Sequence, residues 1–237
     1  MIRLQTRSFE GLAIQVHENS RIIFGFTQVH FTAAALQRFF KPLPLVFLKQ
    51  IHSARIITDS GRQPAESGRH RCQPLSEGDG LFLEKPRVVA VIQTADCVPL
   101  FYFNDNFTAG GIIHVGWRGL CQGIEKNLLA LLPPGSIGRY SFYLGPAIEK
   151  KCYSVGEELP RLFTAKPYGR TIFTPASSGK YLMDLKEGLR LSLIESGIST
   201  DRIQDCGICT YCSHNRFPSF RRDGKTGKRI FNFLALK

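Results

Sequence analysis

Short apolar runs bounded by Gly, Pro, Asn or Asp recur along the chain, at residues 45–51, 87–93, 100–103, 110–115, 140–144, 171–173 and 230–236. Runs of this length, closed by turn residues, predict strands. The period changes after Trp117. Leu120, Cys121, Ile124, Leu128, Leu131 and Leu132 fall at helical spacing until Pro133 stops the pattern, so a helix is predicted over 117–132. A second helix is predicted to start at Asp184. Glu187 stands three residues on, as in a capping box; Leu185, Leu189 and Leu193 form the apolar face, and Gly197 ends it. A third is expected within 155–163. The runs at 100–103 and 110–115 are joined through Asn104-Asp105-Asn106, too short for a parallel crossover, so they read as an antiparallel pair. The pattern predicts an α+β fold, a single domain over 1–237 of mixed β-sheets packed with helices. The stretch 59–79, rich in Gly, Pro, Ser and Arg, reads as a surface excursion inside that domain. Pro133-Pro134-Gly135 and 175–179 read as turns.

Composition narrows the class. A hydrophobic share of 43% with 21% charged residues suits a packed domain and argues against disorder. No apolar stretch approaches the roughly 18 residues of a membrane span, and the polar first ten residues lack the apolar segment of a secretory signal. A cytoplasmic protein is the expectation, with no membrane partner. Lys and Arg outnumber Asp and Glu by 31 to 19, a formal charge of +12 that favours anionic partners without choosing among them.

Seven cysteines is an odd count, not spaced as a secreted disulfide framework. Cys72, Cys97, Cys121 and Cys152 stand singly. Cys206, Cys209 and Cys212 are spaced by two residues with His214 just beyond, which resembles part of a metal site. Zinc ribbons usually pair two separated Cys-x-x-Cys knuckles, so a packed or oxidised thiol cluster is the favoured expectation.

Three segments place a metal-capable side chain where a strand should run into a loop: Gln50-Ile51-His52, Thr94-Ala95-Asp96-Cys97 and His114-Val115-Gly116-Trp117-Arg118-Gly119. Strand ends converging on one sheet edge are where α/β folds usually assemble their chemistry. Two imidazoles and one thiolate make a catalytic zinc set, because three protein ligands leave a position open. The same residues admit a cysteine hydrolase with Cys97 as nucleophile and His114 as base.

These segments resemble the YfiH-type family, whose members are also called laccase-domain or polyphenol oxidase proteins and purine nucleoside phosphorylases. The likeness extends to Gly78-Asp79-Gly80, Gly145-Pro146-Ala147-Ile148, Cys152-Tyr153-Ser154-Val155-Gly156, Cys209-Thr210-Tyr211-Cys212 and Phe217-Pro218-Ser219-Phe220-Arg221-Arg222-Asp223-Gly224. It runs in order from about Leu45 onward; residues 1–44 are least covered. Lys49, Ser53 and Val115 stand where the family frequently has Arg, Gly and Ala, and none of them is a ligand position.

The resemblance implies stacked sheets and helices, with His52, Cys97 and His114 holding zinc. It implies phosphorolysis of adenosine or inosine to the free base and ribose 1-phosphate, with adenosine deaminase activity; 5′-methylthioadenosine is a further substrate candidate. The expected partners are a purine nucleoside and phosphate. Zinc lowers the pKa of bound water to about 7, which suits deamination. Around Cys97 and His114, Asp96 is a candidate for orienting a ligand or exchanging a proton. Gln50 is a candidate for bonding the base, and Arg118, Arg221 and Arg222 for gripping phosphate.

Copper-dependent phenol oxidation is the alternative carried by the older family label, although six histidines are too few for a full multicopper set. A basic RNA-binding module is a further alternative. Arg216, Arg221, Arg222, Lys225, Lys228 and Arg229 alternate with Phe217, Phe220 and Phe231. Service of Arg221 and Arg222 to a small-ligand pocket, with Asp223-Gly224 opening a hairpin turn, is the preferred expectation.

Overall fold

The computed structural model describes residues 2–58, 76–225 and 227–237. One six-stranded sheet runs in the order β1 (Gln5–Phe9), β2 (Leu12–Glu18), β3 (Ile22–Thr27), β15 (Ile230–Leu236), β7 (Val89–Thr94) and β4 (Leu45–Phe47). It is antiparallel except for the parallel pair of β4 with β7. The other six-stranded sheet runs β14 (Ile203–Asp205), β10 (Tyr140–Leu144), β8 (Val98–Asn104), β9 (Gly110–Val115), β6 (Gly80–Leu83) and β5 (Ile56–Thr58), with parallel pairs only at its two edges. A three-stranded sheet of β11 (Ser154–Val155), β13 (Tyr181–Met183) and β12 (Phe173–Pro175) completes the strands among the described residues. The helices are α1 (Ala33–Phe40), α2 (Trp117–Gln122), α3 (Ile124–Leu131), α4 (Glu158–Leu162), α5 (Leu185–Glu195) and the single turn α6 (Phe220–Asp223).

Alternation along each strand builds the layers. From β8, Phe101 and Phe103 enter a core between the two large sheets with Phe24, Ile92, Ile112 and Leu234. Leu100 and Tyr102 point the other way, into a core shared with Leu120, Ile124 and Leu128 of α2 and α3 and with Leu189 and Leu193 of α5. From β15, Phe231, Phe233 and Ala235 pack on Leu36 and Phe40 of α1. Strands buried on both faces need near-continuous apolar runs, which is why 110–115, 140–144 and 230–236, with one polar residue each, read so clearly as strands. The stack is helix, sheet, sheet, helix, the α+β arrangement expected.

Several elements depart from expectation. Residues before Leu45, which the motifs barely touch, supply three of the six strands of the first sheet and the helix that covers it. The helix expected over 117–132 is two helices, because Gly123 adopts φ 80° and hands its N–H back to Leu120. Asp184 does accept from the amide of Glu187 at 3.1 Å, but the Glu187 carboxylate pairs with Arg190, so the capping box is one-sided. The run at 171–173 yields a strand only from Phe173 on. The expected hairpin at Asp223-Gly224 is instead the end of α6, with Gly224 at φ 67°. The predicted strand over 45–51 stops at Phe47, for a reason that belongs to the site. Of the excursion at 59–79, residues 59–75 and with them Cys72 lie outside the described residues. Among the described residues, no helix is long and apolar enough to cross a membrane.

Candidate metal centre

The hairpin of β8 and β9 pairs Val98 with Val115, which brings Cys97, just before β8, beside Gly116, just after β9. His114 is the next-to-last residue of β9, opposite Pro99. His52 arrives from the loop after β4 in a left-handed conformation, φ 58°. The donor atoms of His52, Cys97 and His114 all lie within 4.8 Å of one another. The two imidazole rings stand nearly perpendicular, 77°, with centroids 4.8 Å apart. Gly116 leaves room for this approach. A Cβ there would sit 3.0 Å from the Cys97 sulfur and 3.2 Å from the His52 ring.

The residue that organises the cluster is Asp79, fully buried. Its Oδ1 accepts from His114 Nδ1 at 2.9 Å and from the His52 amide at 3.0 Å. Its Oδ2 accepts from the Ser53 amide at 2.6 Å, the Ser53 hydroxyl at 2.7 Å and the Ile51 amide at 3.3 Å. One carboxylate thus folds the 51–53 loop and fixes the His114 ring. With Nδ1 engaged, the other ring nitrogen is left for Cys97. Carboxylate–histidine pairs of this kind commonly stand behind metal ligands, setting tautomer and orientation. Sequence reading marked Gly78-Asp79-Gly80 as a motif but gave Asp79 no role.

Electrostatics tie the sulfur to the rings. Burial would push the Cys97 thiol up, but His114 and then His52 draw it down to about 6. Burial would lower His114, but Cys97 and Asp79 raise it to about 9. Cys97 and His114 thus favour each other's charged forms, thiolate beside imidazolium, and a metal ion would take the place of the His114 proton that faces the sulfur.

The family model for the multi-copper polyphenol oxidoreductase laccases matches residues 27–237. The chain belongs to this family. It is 30% identical over 197 residues to the purine nucleoside phosphorylase YlmD of Bacillus subtilis, covering 81% of this chain and 70% of that protein. It is 30% identical over 195 residues to the purine nucleoside phosphorylase YfiH of Escherichia coli, covering 82% and 75%. Among solved structures, YfiH of Bacillus licheniformis superposes with a TM-score of 0.85 at 25% identity over 98% of this chain and 99% of that one.

Within this family frame, the other expected site residues divide. Gln50 offers its amide to strand β7: its Nε2 donates to the Gln93 carbonyl at 2.8 Å, and its Oε1 accepts from the Gln93 amide at 2.7 Å. The side chain thus replaces a rung of the sheet, while the next residues turn to Asp79. That is why the strand expected to reach Ile51 stops early. Asp96 is buried at φ 87°. It accepts from the Thr210 hydroxyl at 2.6 Å, the Ser219 hydroxyl at 3.0 Å and the Arg221 amide at 2.7 Å. Both oxygens are engaged, so Asp96 fixes the start of α6 next to Cys97; a proton-exchanging role does not fit these partners.

Arg118 is exposed, its guanidinium carbon 4.3 Å from the Trp117 ring centroid. Arg221 is exposed and lies 5.2 Å from the Tyr153 ring. Arg222 differs from both. Its guanidinium donates to the carbonyls of Thr210, Tyr211 and Phe217 and to both oxygens of Asp223. A side chain engaged on every edge is not available to phosphate, so the phosphate role expected of Arg222 is corrected to that of a staple. Arg222→Ala is expected to lower stability by about 2–4 kcal/mol, since charge-assisted bonds to otherwise unsatisfied carbonyls are lost. A urea-denaturation midpoint measures it, and a change under about 0.5 kcal/mol, the surface-mutation range, would remove the staple.

The aromatics among the C-terminal cations are mostly unavailable for stacking, because Phe217 and Phe231 are buried and only Phe220 is exposed. The cysteines group in a way that spacing did not foretell. Cys206 packs against the inter-sheet core, while Cys209 and Cys212 meet Cys152. His214 is exposed and outside that group.

Proposed function

We propose that the chain is a zinc-dependent purine nucleoside phosphorylase that also deaminates adenosine. The observation that carries the reading is the His52, Cys97 and His114 cluster with Asp79 behind it, in a chain related to proteins named purine nucleoside phosphorylases. The donor set fits the metal: two imidazoles, one of them oriented by a carboxylate, and a sulfur whose ionised form the rings favour. When bound, zinc would supply a Lewis acid with an open coordination position.

The chain's own groups do the rest. Asp79 keeps the His114 Nδ1 proton in place, so the other nitrogen faces Cys97. Asp96 fixes the backbone of Arg221. Arg118 and Arg221, both cationic and exposed on the two helices that flank Cys97, are placed to attract phosphate beside the sugar. Phosphorolysis exchanges the glycosidic C–N bond for a C–O bond to phosphate, giving base and ribose 1-phosphate. Deamination adds water at purine C6 and releases ammonia.

The test is incubation of purified protein with adenosine, with and without phosphate and with and without chelator. Adenine that depends on phosphate and inosine that does not are expected by chromatography, with both suppressed by chelation. Arg118→Ala and Arg221→Ala are each expected to raise the apparent KM for phosphate about tenfold, the loss of roughly 1.4 kcal/mol of binding. An unchanged KM removes that residue from the phosphate site.

One observation favours a second reading, a cysteine hydrolase. Cys97, His114 and Asp79 stand in the order nucleophile, base, orienting carboxylate. His52 on the same sulfur argues for the metal instead. Activity that survives chelator but not thiol alkylation would favour the hydrolase. For copper oxidation, the two histidines of the cluster are the only ones in a metal-capable group among the described residues.

A further inference from the structure

The second sulfur cluster is built from parts of the chain that the metal centre does not use. Cys152 closes a short 3-10 turn ahead of β11; Cys209 and Cys212 bracket the turn that follows β14. The three sulfurs lie within 4.8 Å of one another, and those of Cys152 and Cys212 are 3.4 Å apart. Zn–S bonds of about 2.3 Å at tetrahedral angles hold sulfurs about 3.8 Å apart, so little movement is needed to admit an ion. Cys209 is buried, and its sulfur closes the triangle with those of Cys152 and Cys212. Three sulfurs converging from two separate segments are the donor arrangement of a thiolate metal knuckle.

We propose that Cys152, Cys209 and Cys212 form a second, structural site for one thiophilic d10 ion, zinc or copper(I). Three thiolates select soft ions over magnesium or calcium, which prefer oxygen. The site would clasp two segments 57 or more residues apart. The clasped turn carries Thr210, whose hydroxyl bonds Asp96 next to Cys97 and whose amide bonds Ala147. An ion there would stiffen the wall behind the first centre without touching a substrate. Cys206, expected from spacing to belong to the set, takes no part.

Metal content per chain tests this directly. Full-length protein, reduced anaerobically, is equilibrated with excess zinc, or separately copper(I), desalted and analysed by mass spectrometry of the metal. Wild type is expected to hold two equivalents, Cys209→Ser one, Cys97→Ser one and the double variant none. Cadmium titration gives a second readout on wild type, independent of how any variant folds: sulfur-to-cadmium absorption is expected to rise until two equivalents per chain are bound and then stop, whereas a rise that ends at one equivalent would count against the second site. Cys212→Ser, at the exposed sulfur, repeats the comparison should Cys209→Ser misfold.

A single equivalent in wild type, unchanged in Cys209→Ser and Cys212→Ser, would overturn the site. So would a Cys152–Cys212 disulfide found by alkylation and peptide mapping of anaerobically prepared protein that takes up no second ion. Loss of one equivalent in Cys209→Ser alone, with none lost in Cys97→Ser, would sustain this site while refuting the first centre. Which ion occupies it follows from whether zinc or copper(I) resists a competing chelator.

Discussion

Cys97→Ser is expected to lower purine nucleoside turnover on the order of 10³-fold, about 4 kcal/mol of transition-state stabilisation. The argument starts from charge. The Cys97 thiol, against the effect of burial, is drawn down to about 6 by His114 and His52, so an anion faces the two rings at neutral pH. A serine hydroxyl remains neutral there and is a far poorer partner for zinc. Two imidazoles alone would retain the ion weakly, so metal content should fall with activity. Replacing sulfur by oxygen changes little volume at a half-buried position, so the denaturation midpoint should stay close to wild type. Initial rates and metal content measured on the same sample decide the matter. Full turnover with full metal in Cys97→Ser would remove the sulfur from the ligand set and the zinc reading with it.

The parts of this architecture that the sequence made legible are those in which one residue's neighbours along the chain determine its surroundings. Strands 110–115, 140–144 and 230–236 are buried on both faces at nearly every position, and their apolar runs, each broken by a single polar residue, say so. His52, Cys97 and His114 were readable because each closes such a run. The helix over 117–132 was misread because leucine periodicity carries through Gly123, while the left-handed turn depends on that one residue alone. The strands β1 to β3 carry no motif. The pairing of β3 with β15, more than 200 residues further along, is a tertiary contact that no local pattern encodes.

Polar partnerships were less legible still. Asp79 bonds to groups 26 to 28 residues before it and 35 after it. In sequence it is an ordinary turn residue between two glycines. Arg222 sits in a run of cations that reads as a stretch for gripping anions, yet its guanidinium is turned inward onto three carbonyls. Cys152 and Cys212 meet across 60 residues. Spacing pointed to Cys206 because it is near in sequence, whereas the fold packs Cys206 against the inter-sheet core. Hydrogen bonding and sulfur contact have no period, so a single sequence exposes them only where a motif happens to flag one partner.

Asp79→Ala is expected to cost about 3–5 kcal/mol of stability and to weaken metal binding beyond the 10–100-fold typical of a lost orienting group. Removal of the carboxylate leaves three backbone amides, a hydroxyl and an imidazole N–H without their acceptor, all within a few ångströms. Each stranded donor costs more than the bond was worth in net terms, because water cannot enter a fully buried position to replace it.

Asp79→Asn separates the two roles of the carboxylate. It keeps the shape and one acceptor oxygen but presents an NH2 to donors on its other side. The side chain must choose between the 51–53 amides and His114. If the loop retains the oxygen, His114 Nδ1 meets a donor and the ring is driven toward the wrong tautomer. Metal affinity then falls 10–100-fold while about 2 kcal/mol of stability is lost. If His114 retains the oxygen, the loop loosens and His52 is lost as a ligand, with the same direction in affinity and a larger loss of stability. Chelator competition and a urea midpoint on one preparation distinguish the two. Affinity within about twofold of wild type would mean that His114 is oriented by the fold alone, and Asp79 would then be a loop-folding residue with no part in the metal centre.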